Sequence, residues 1–326
     1  MARVVVISNA TSGGNRKRRM WLEARLAARP QVAHHVTHSL EEAEALVPAL
    51  ADEALEVLAI NGGDGTIATV VGLIVRHWPA ERWPLIIVLP GGTANMTAGD
   101  IGLRGSHRRA LRRFLHWLDR GAPLDCDIRT RHIMEVAGAA DGKLRHGMFL
   151  GTGAIMQATH FAHRNVHSRG LSGEFSLGLV LVRAVWGLIR REPRFYQPTE
   201  VAMKIEDGTH APVTRPPAPM LILVASTLER LFLGIRPFWG GGEGAIRLTA
   251  IGGGAARLPR AFLSVLRGRP NRHVSAENGY ESFRSGRTEL RLEGELNLDG
   301  EIFATAGREA PLVITTAGPI RFLRPR

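Results

Sequence analysis

Short runs of β-branched and aliphatic residues, each answered by a helical pattern, fill the first third of the chain. The runs occupy residues 4–7, 55–60 and 85–89, and the helical patterns 16–28, 40–50 and 67–76. This alternation restricts the fold more than any other feature, because strands separated by helices pair in parallel and carry the helices on the faces of their sheet. Ser39, with Glu42 three residues on, makes a capping-box pattern that starts the helix at Leu40. From Ile128 the texture changes. Strand-like runs at 133–137, 148–151, 201–205, 220–225, 246–251, 289–292 and 302–304 are set apart by Gly and Pro turns, with helical patterns only near 156–164 and 175–190. Pro212, Pro216, Pro217 and Pro219 read as an exposed turn region. The expected fold class is α/β. A parallel-sheet domain covers 1–127 and a second, mostly antiparallel β-rich domain covers 128–310, and 326 residues suffice for two domains of ordinary size.

Three glycine-rich turns each follow one of the early strands and precede a helical pattern: Asn9-Ala-Thr-Ser-Gly-Gly14, Asn61-Gly-Gly-Asp-Gly-Thr66 and Pro90-Gly-Gly-Thr-Ala-Asn95. Glycine lets the backbone approach a phosphate closely, and a helix that begins just beyond aims its free amides and positive dipole end at the anion. One such turn is a common connector. Three at the carboxyl edge of one parallel sheet, where open α/β sheets bind their ligands, point to a nucleotide site.

With 42 Lys and Arg against 30 Asp and Glu, the formal net charge is +12, so anionic partners are expected: nucleic acid, a phosphorylated metabolite or an acidic membrane. The basic clusters at 104–113 and 257–272 lack interleaved aromatic residues, which argues against a nucleic-acid partner. The run Arg16-Lys-Arg-Arg19 reads as the exposed side of the first helix. A single cysteine, Cys126, excludes an intrachain disulfide and a Cys-rich zinc site, and the cytoplasm is the expected compartment. The most apolar stretch, 175–189, contains Arg183, is followed by Arg190 and Arg191, and falls short of the roughly 20 residues that span a bilayer. His160, His163 and His167 share a helical face, read as polar surface because no carboxylate or cysteine cluster accompanies them.

The string Gly62-Gly63-Asp64-Gly65-Thr66 after an apolar strand is the nucleotide-binding signature shared by diacylglycerol-type lipid kinases, nicotinamide dinucleotide kinases and phosphofructokinases. Taken with the first and third turns and a late Leu298-Asp-Gly-Glu301, the chain resembles the diacylglycerol kinase catalytic family, which includes bacterial lipid kinases and the sphingosine and ceramide kinases. The resemblance runs through nearly the whole chain in order, with 170–194 matching the substrate-domain helix and a 240–242 turn before the 246–251 strand. It implies an ATP- and magnesium-dependent kinase that phosphorylates the primary hydroxyl of a two-chain membrane lipid, with the last segment, 311–326, returning to the first domain.

Residue by residue, the resemblance places Asn9, Thr11 and Ser12 on ATP, with Ala10 where the family has proline. It places Gly62, Gly63, Asp64, Gly65 and Thr66 on the phosphates, with Asp64 organising magnesium, and adds Gly92, Thr93 and Asn95 from the third turn. Asp299 is the implied base for the lipid hydroxyl, beside Glu301. Two departures stand out: Ile67-Ala68-Thr69 replaces the usual Leu-Asn-Glu, and Met96 replaces the aspartate of bacterial diacylglycerol kinases. Asp100, four residues on, is a candidate substitute at the metal, and Asp125 a candidate further acid, with Asp127 competing for that place. These departures leave ceramide a near rival to diacylglycerol. A soluble nucleotide such as NAD, or a nucleic-acid-binding role, is a more distant alternative. The charge and the lipid substrate imply peripheral attachment to an anionic membrane at its inner face. The candidate contacts are Arg183, Arg190, Arg191, Phe232, Arg236, Phe238 and Trp239, and a homo-oligomer remains open.

Overall fold

A computed structural model describes residues 3–13, 19–103, 105–168 and 174–325. Gly14, the basic residues 16–18, Arg104, Gly170 and the side chains of Arg19, His163 and His167 lie outside the described residues. The chain divides into two compact units, one of Met1–Ile133, Leu231–Leu233 and Ala317–Arg326, the other of Met134–Arg230 and Gly234–Thr316.

The first unit contains β1 (Val4–Asn9), α1 (Arg19–Ala27), β2 (Val32–Thr37), α2 (Leu40–Ala49), β3 (Val57–Gly62), α3 (Asp64–His77), β4 (Leu85–Pro90), α4 (Met96–Asp100), α5 (His107–Asp119) and the start of β5 (Asp127–Ala137). Its strands are parallel in the order β2-β1-β3-β4, and the end of the chain adds a further parallel neighbour, Phe322 beside Ile86. One face packs Val4, Val6, Val57, Ala59, Leu85 and Ile87 against Leu22 and Leu26 of α1 and Leu111, Phe114 and Trp117 of α5. Strand alternation sends Val5, Ile7, Leu58 and Ile60 to the other face, and all four are buried as well. Burial on both faces is why these strands read as unbroken apolar runs. At the start of α2 the Ser39 hydroxyl accepts the Glu42 amide at 3.3 Å, but Glu42 returns its bond to the amide of His38, one residue before the cap. On α5, Arg108, Arg109, Arg112 and Arg113 are exposed, while Phe114 and Trp117 stack on each other in the core.

The second unit takes β5 onward: β6 (Arg145–Gly147), β7 (Phe149–Gly153), α6 (Ala154–Ser168), α7 (Glu174–Ile189), β8 (Thr199–Glu206), β9 (Val213–Ser226), β10 (Ile246–Gly252), α8 (Leu258–Arg267), β11 (Tyr280–Ser285), β12 (Arg287–Leu292), β13 (Glu295–Leu298), β14 (Glu301–Ala304) and the start of β15 (Leu312–Arg324). Its strands run antiparallel in the order β14-β13-β7-β9-β8-β12-β15, with β10 and β11 joined through β9. The protein is thus α/β, with a parallel amino-terminal sheet and an antiparallel β-rich region.

Of the four prolines read as an exposed turn region, Pro212 lies in the exposed segment before β9 and the other three lie in a strand. Pro216, Pro217 and Pro219 sit inside β9, where Val201 pairs Ala218 but Met203 pairs Arg215, so β9 carries an extra residue. A bulge of this kind tolerates residues that lack an amide donor. The region 257–272, read as a charge cluster, contains α8, whose Leu258, Ala261 and Val265 join the core with Leu188 of α7 and Phe195.

Candidate active site

Strands β1, β3 and β4 are neighbours in a parallel sheet, so the three glycine turns leave its carboxyl edge side by side. Because β2 lies beyond β1, the strand order reverses between β1 and β3, and the first two turns flank that switch point, where open α/β sheets bind ligands.

The turns are tied to one another. Asn9 Nδ2 donates to Thr66 Oγ1 at 2.8 Å, and the Gly63 amide to Ser12 Oγ at 3.3 Å. Thr11 folds back on Asn9 Oδ1 through its amide (2.9 Å) and hydroxyl (2.7 Å). A side chain on Gly92 would collide with the Cα of Gly63, so glycine there permits backbone contact between the second and third turns, and one on Gly62 would stand 2.6 Å from Thr66 Cβ, so glycine there leaves room for Thr66 within its own turn. Asn95, with φ at 49°, closes the third turn by accepting the Gly92 amide at 2.8 Å and donating to the Gly92 carbonyl at 3.0 Å. Thr93 and Gly65 are half-buried beside them. No side chain caps α3, whose N-cap is Gly63, so its first-turn amides are not taken up by a side-chain cap.

Asp64 has a more specific role than the motif alone conveys. It is 6% exposed, and its carboxylate accepts the amides of Met96 (Oδ2, 3.1 Å) and Thr97 (Oδ1, 2.8 Å), the first residues of α4. Burial pushes its pKa above the ordinary carboxylate value, and the amides pull against that shift. Asp100, at the end of α4, forms a buried ion pair with Arg131 at 2.8 Å. It therefore faces strand β5. Asp125 is exposed in the loop before β5, and Asp127 pairs with Arg129 and Arg324. Among the described residues no three His, Cys, Asp or Glu side chains group as a metal site would need. Asp64 holds two amides and Asp100 an arginine, so both of these acids also have partners within the protein.

In the second unit Asp299 and Gly300 form the two-residue turn between β13 and β14, with φ of 49° and 99°. Positive φ at both positions suits the primed hairpin turns that match strand twist. The Asp299 carboxylate accepts the amides of Met148 (Oδ2, 2.7 Å) and Phe149 (Oδ1, 3.1 Å), and its own amide donates to the Phe149 carbonyl at 2.9 Å. Gly147 makes this reach possible, since a Cβ there would stand 2.8 Å from Asp299 Oδ2. Glu301 is exposed at the head of β14. His160 bonds Glu295 at 3.0 Å.

Sequence reading missed a polar cluster beneath the turns: His34 Nε2 meets Ser8 Oγ at 2.9 Å, and Asn61 Nδ2 donates to the same hydroxyl at 3.1 Å. The signal was a histidine within the apolar spacing of a short strand. Burial lowers the His34 pKa below its usual 6.5, against a smaller opposing pull from Glu23. An unfolded chain therefore binds this proton first as pH falls, so the contribution of His34 to stability is complete above 6.5 and lost below it. Urea midpoints measured at pH 7.5 and at successively lower pH should fall on acidification, and His34→Gln should flatten that fall. An unchanged slope would remove His34 from the account.

Residues 3–121 match the diacylglycerol kinase catalytic domain. No curated protein sequence matches the chain. Three solved structures from Bacillus anthracis strain Sterne share the fold. A diacylglycerol kinase aligns at 15% identity over 98% of this chain and 96% of its own, with a TM-score of 0.60. Two proteins provisionally named diacylglycerol kinases align at 16% identity (98% and 96% covered, TM-score 0.64) and at 15% (99% and 97% covered, TM-score 0.63). With the signature turn at the carboxyl end of β3 inside it, the segment 3–121 is matched to the diacylglycerol kinase catalytic domain, and the match supports a phosphotransferase of the lipid kinase class.

Proposed function

We propose that the chain transfers the γ-phosphate of ATP to the primary hydroxyl of a two-chain membrane lipid, with diacylglycerol ahead of ceramide. The observation that carries this reading is the set of three glycine turns, tied together at the switch point of the parallel sheet inside the matched domain. Asn9, Thr11, Ser12, residues 62–66, Gly92, Thr93 and Asn95 would hold the nucleotide, chiefly through backbone amides. Phosphoryl transfer asks little covalent chemistry of a protein and much positioning. Magnesium carried in with the nucleotide would neutralise phosphate charge, and the chain's own part is to orient the phosphates and to take a proton. Asp299, oriented by two amides, is the proposed acceptor of the lipid hydroxyl proton.

Diacylglycerol and ceramide both offer a primary hydroxyl beside two long chains and differ in the polar linkage. A site built to pair with the amide and second hydroxyl of ceramide would leave groups unpaired on diacylglycerol, a loss that can reach about 10⁴-fold. Purified protein with labelled ATP and diacylglycerol, monoacylglycerol, sphingosine, ceramide and NAD side by side is the test. Highest catalytic efficiency is expected on diacylglycerol. A preference for ceramide of about a hundredfold would reverse the order of the two lipids, and transfer to NAD alone would replace the lipid reading altogether.

A further inference from the structure

The outer face of α7 is apolar where a surface helix should be polar. Val180, Ala184 and Leu188 are buried, and Ala184 and Leu188 pack into the core of the second unit with Phe195 and α8. An amphipathic helix would present charge on the opposite side. Here Leu179, Val182 and Trp186 lie there, 55%, 64% and 52% exposed, spaced three and four residues apart along one face. They are three of the nine large apolar side chains exposed among the described residues. Arg190 borders the stripe, and two further arginines follow it closely in the chain. The Arg190 guanidinium lies 4.7 Å from the Trp186 ring centre, and exposed Arg191 and Arg194 stack on Tyr196 and Phe161 at 5.6 and 4.3 Å. None of these three has a carboxylate partner among the described residues, whereas Arg183 is paired with Glu192 at 2.6 Å.

We infer that this face of α7 docks on an anionic lipid surface, with Leu179, Val182 and Trp186 entering the headgroup boundary and Arg190, Arg191 and Arg194 meeting lipid phosphates. No described helix is long and apolar enough to cross a membrane, so the helix lies on the surface. Charge complementarity selects this occupant: an indole beside guanidinium groups that lack a carboxylate partner matches the interface between acyl chains and acidic headgroups. A second copy of the chain fits less well, because three side chains fall far short of the roughly 20–30 residues a stable interface takes from each partner. Of the contacts expected from sequence, Arg190 lies on this surface, over Trp186. Trp239 instead packs against the core.

The proposal rests on the lipid-kinase reading, and its test separates the two. The whole chain is sedimented with phosphatidylcholine vesicles and with vesicles containing phosphatidylglycerol, at low and physiological salt. Wild type should prefer the anionic vesicles and lose binding with salt. V182E/W186E, at exposed positions, should bind at least about tenfold more weakly, and Arg190→Gln about fivefold more weakly on anionic vesicles only. Both should keep wild-type melting and wild-type turnover of a short-chain diacylglycerol dissolved as monomer. Vesicle binding that is absent in wild type or unchanged in the variants overturns the proposal. So does loss of melting temperature or of monomeric turnover in V182E/W186E, or a wild-type dimer that this variant breaks. If wild type phosphorylates no lipid, the kinase reading fails whatever the vesicles show.

Discussion

Asp64→Ala is expected to cut turnover by about a hundredfold or more while leaving a folded protein. The side chain joins the start of α3 to the start of α4 by accepting the amides of Met96 and Thr97. Alanine leaves two buried amides unpaired, at about 1–3 kcal/mol each, against a typical stability of roughly 5–15 kcal/mol. The fold survives that loss. The start of α4, however, is no longer held against the second turn, and a displacement of about 1 Å at a positioning surface can cost about 10²-fold in rate. Asparagine sharpens the test, because its oxygen can satisfy one amide while its NH₂ confronts the other. Asp64→Asn should therefore follow the alanine variant in turnover and retain part of the stability. Melting and turnover on the best lipid are the measurements, and both variants staying within about threefold of wild type would sink the linking role.

Asp299→Asn should collapse turnover by about 10²–10⁴-fold, the usual cost of losing a general base, with ATP affinity nearly unchanged. The hairpin is the reason this variant is informative. Asn-Gly is the pair that primed turns prefer, so positive φ at 299 and 300 is kept. The asparagine oxygen also keeps one of the two amide bonds to residues 148 and 149, but it cannot take up a proton. Alanine would confuse the result by straining the left-handed backbone and releasing both amides. A turnover loss below about tenfold with intact melting would leave Asp299 as a turn former that anchors β7.

The parallel half of the fold was legible because its strands are buried on both faces and so announce themselves as apolar runs. Strand β2 was not: only Val32 and Thr37 are buried, and His34 and His35 interrupt the pattern. Helix α8 was hidden by Arg257, Arg260 and Arg267, which drew attention away from the spacing of Leu258, Ala261 and Val265. At the site, the glycine turns stood out because their spacing is local. The partners of their acids did not, since Asp64 reaches 33 residues to Thr97 and Asp299 reaches 151 residues to Met148. Arg131 as the counterion of Asp100 was invisible for the same reason. Chain distance, not chemistry, concealed these roles.

The bonds among the glycine turns also make them one mechanical unit. Asn9 reaches Thr66, the Gly63 amide reaches Ser12, and Asp64 reaches Met96 and Thr97, so no turn can shift without disturbing its neighbour. Fixing a rotamer-rich side chain costs about 0.5–1.5 kcal/mol, and for these side chains bonds inside the protein help to offset it. A substitution in any one turn should therefore be felt at the other two.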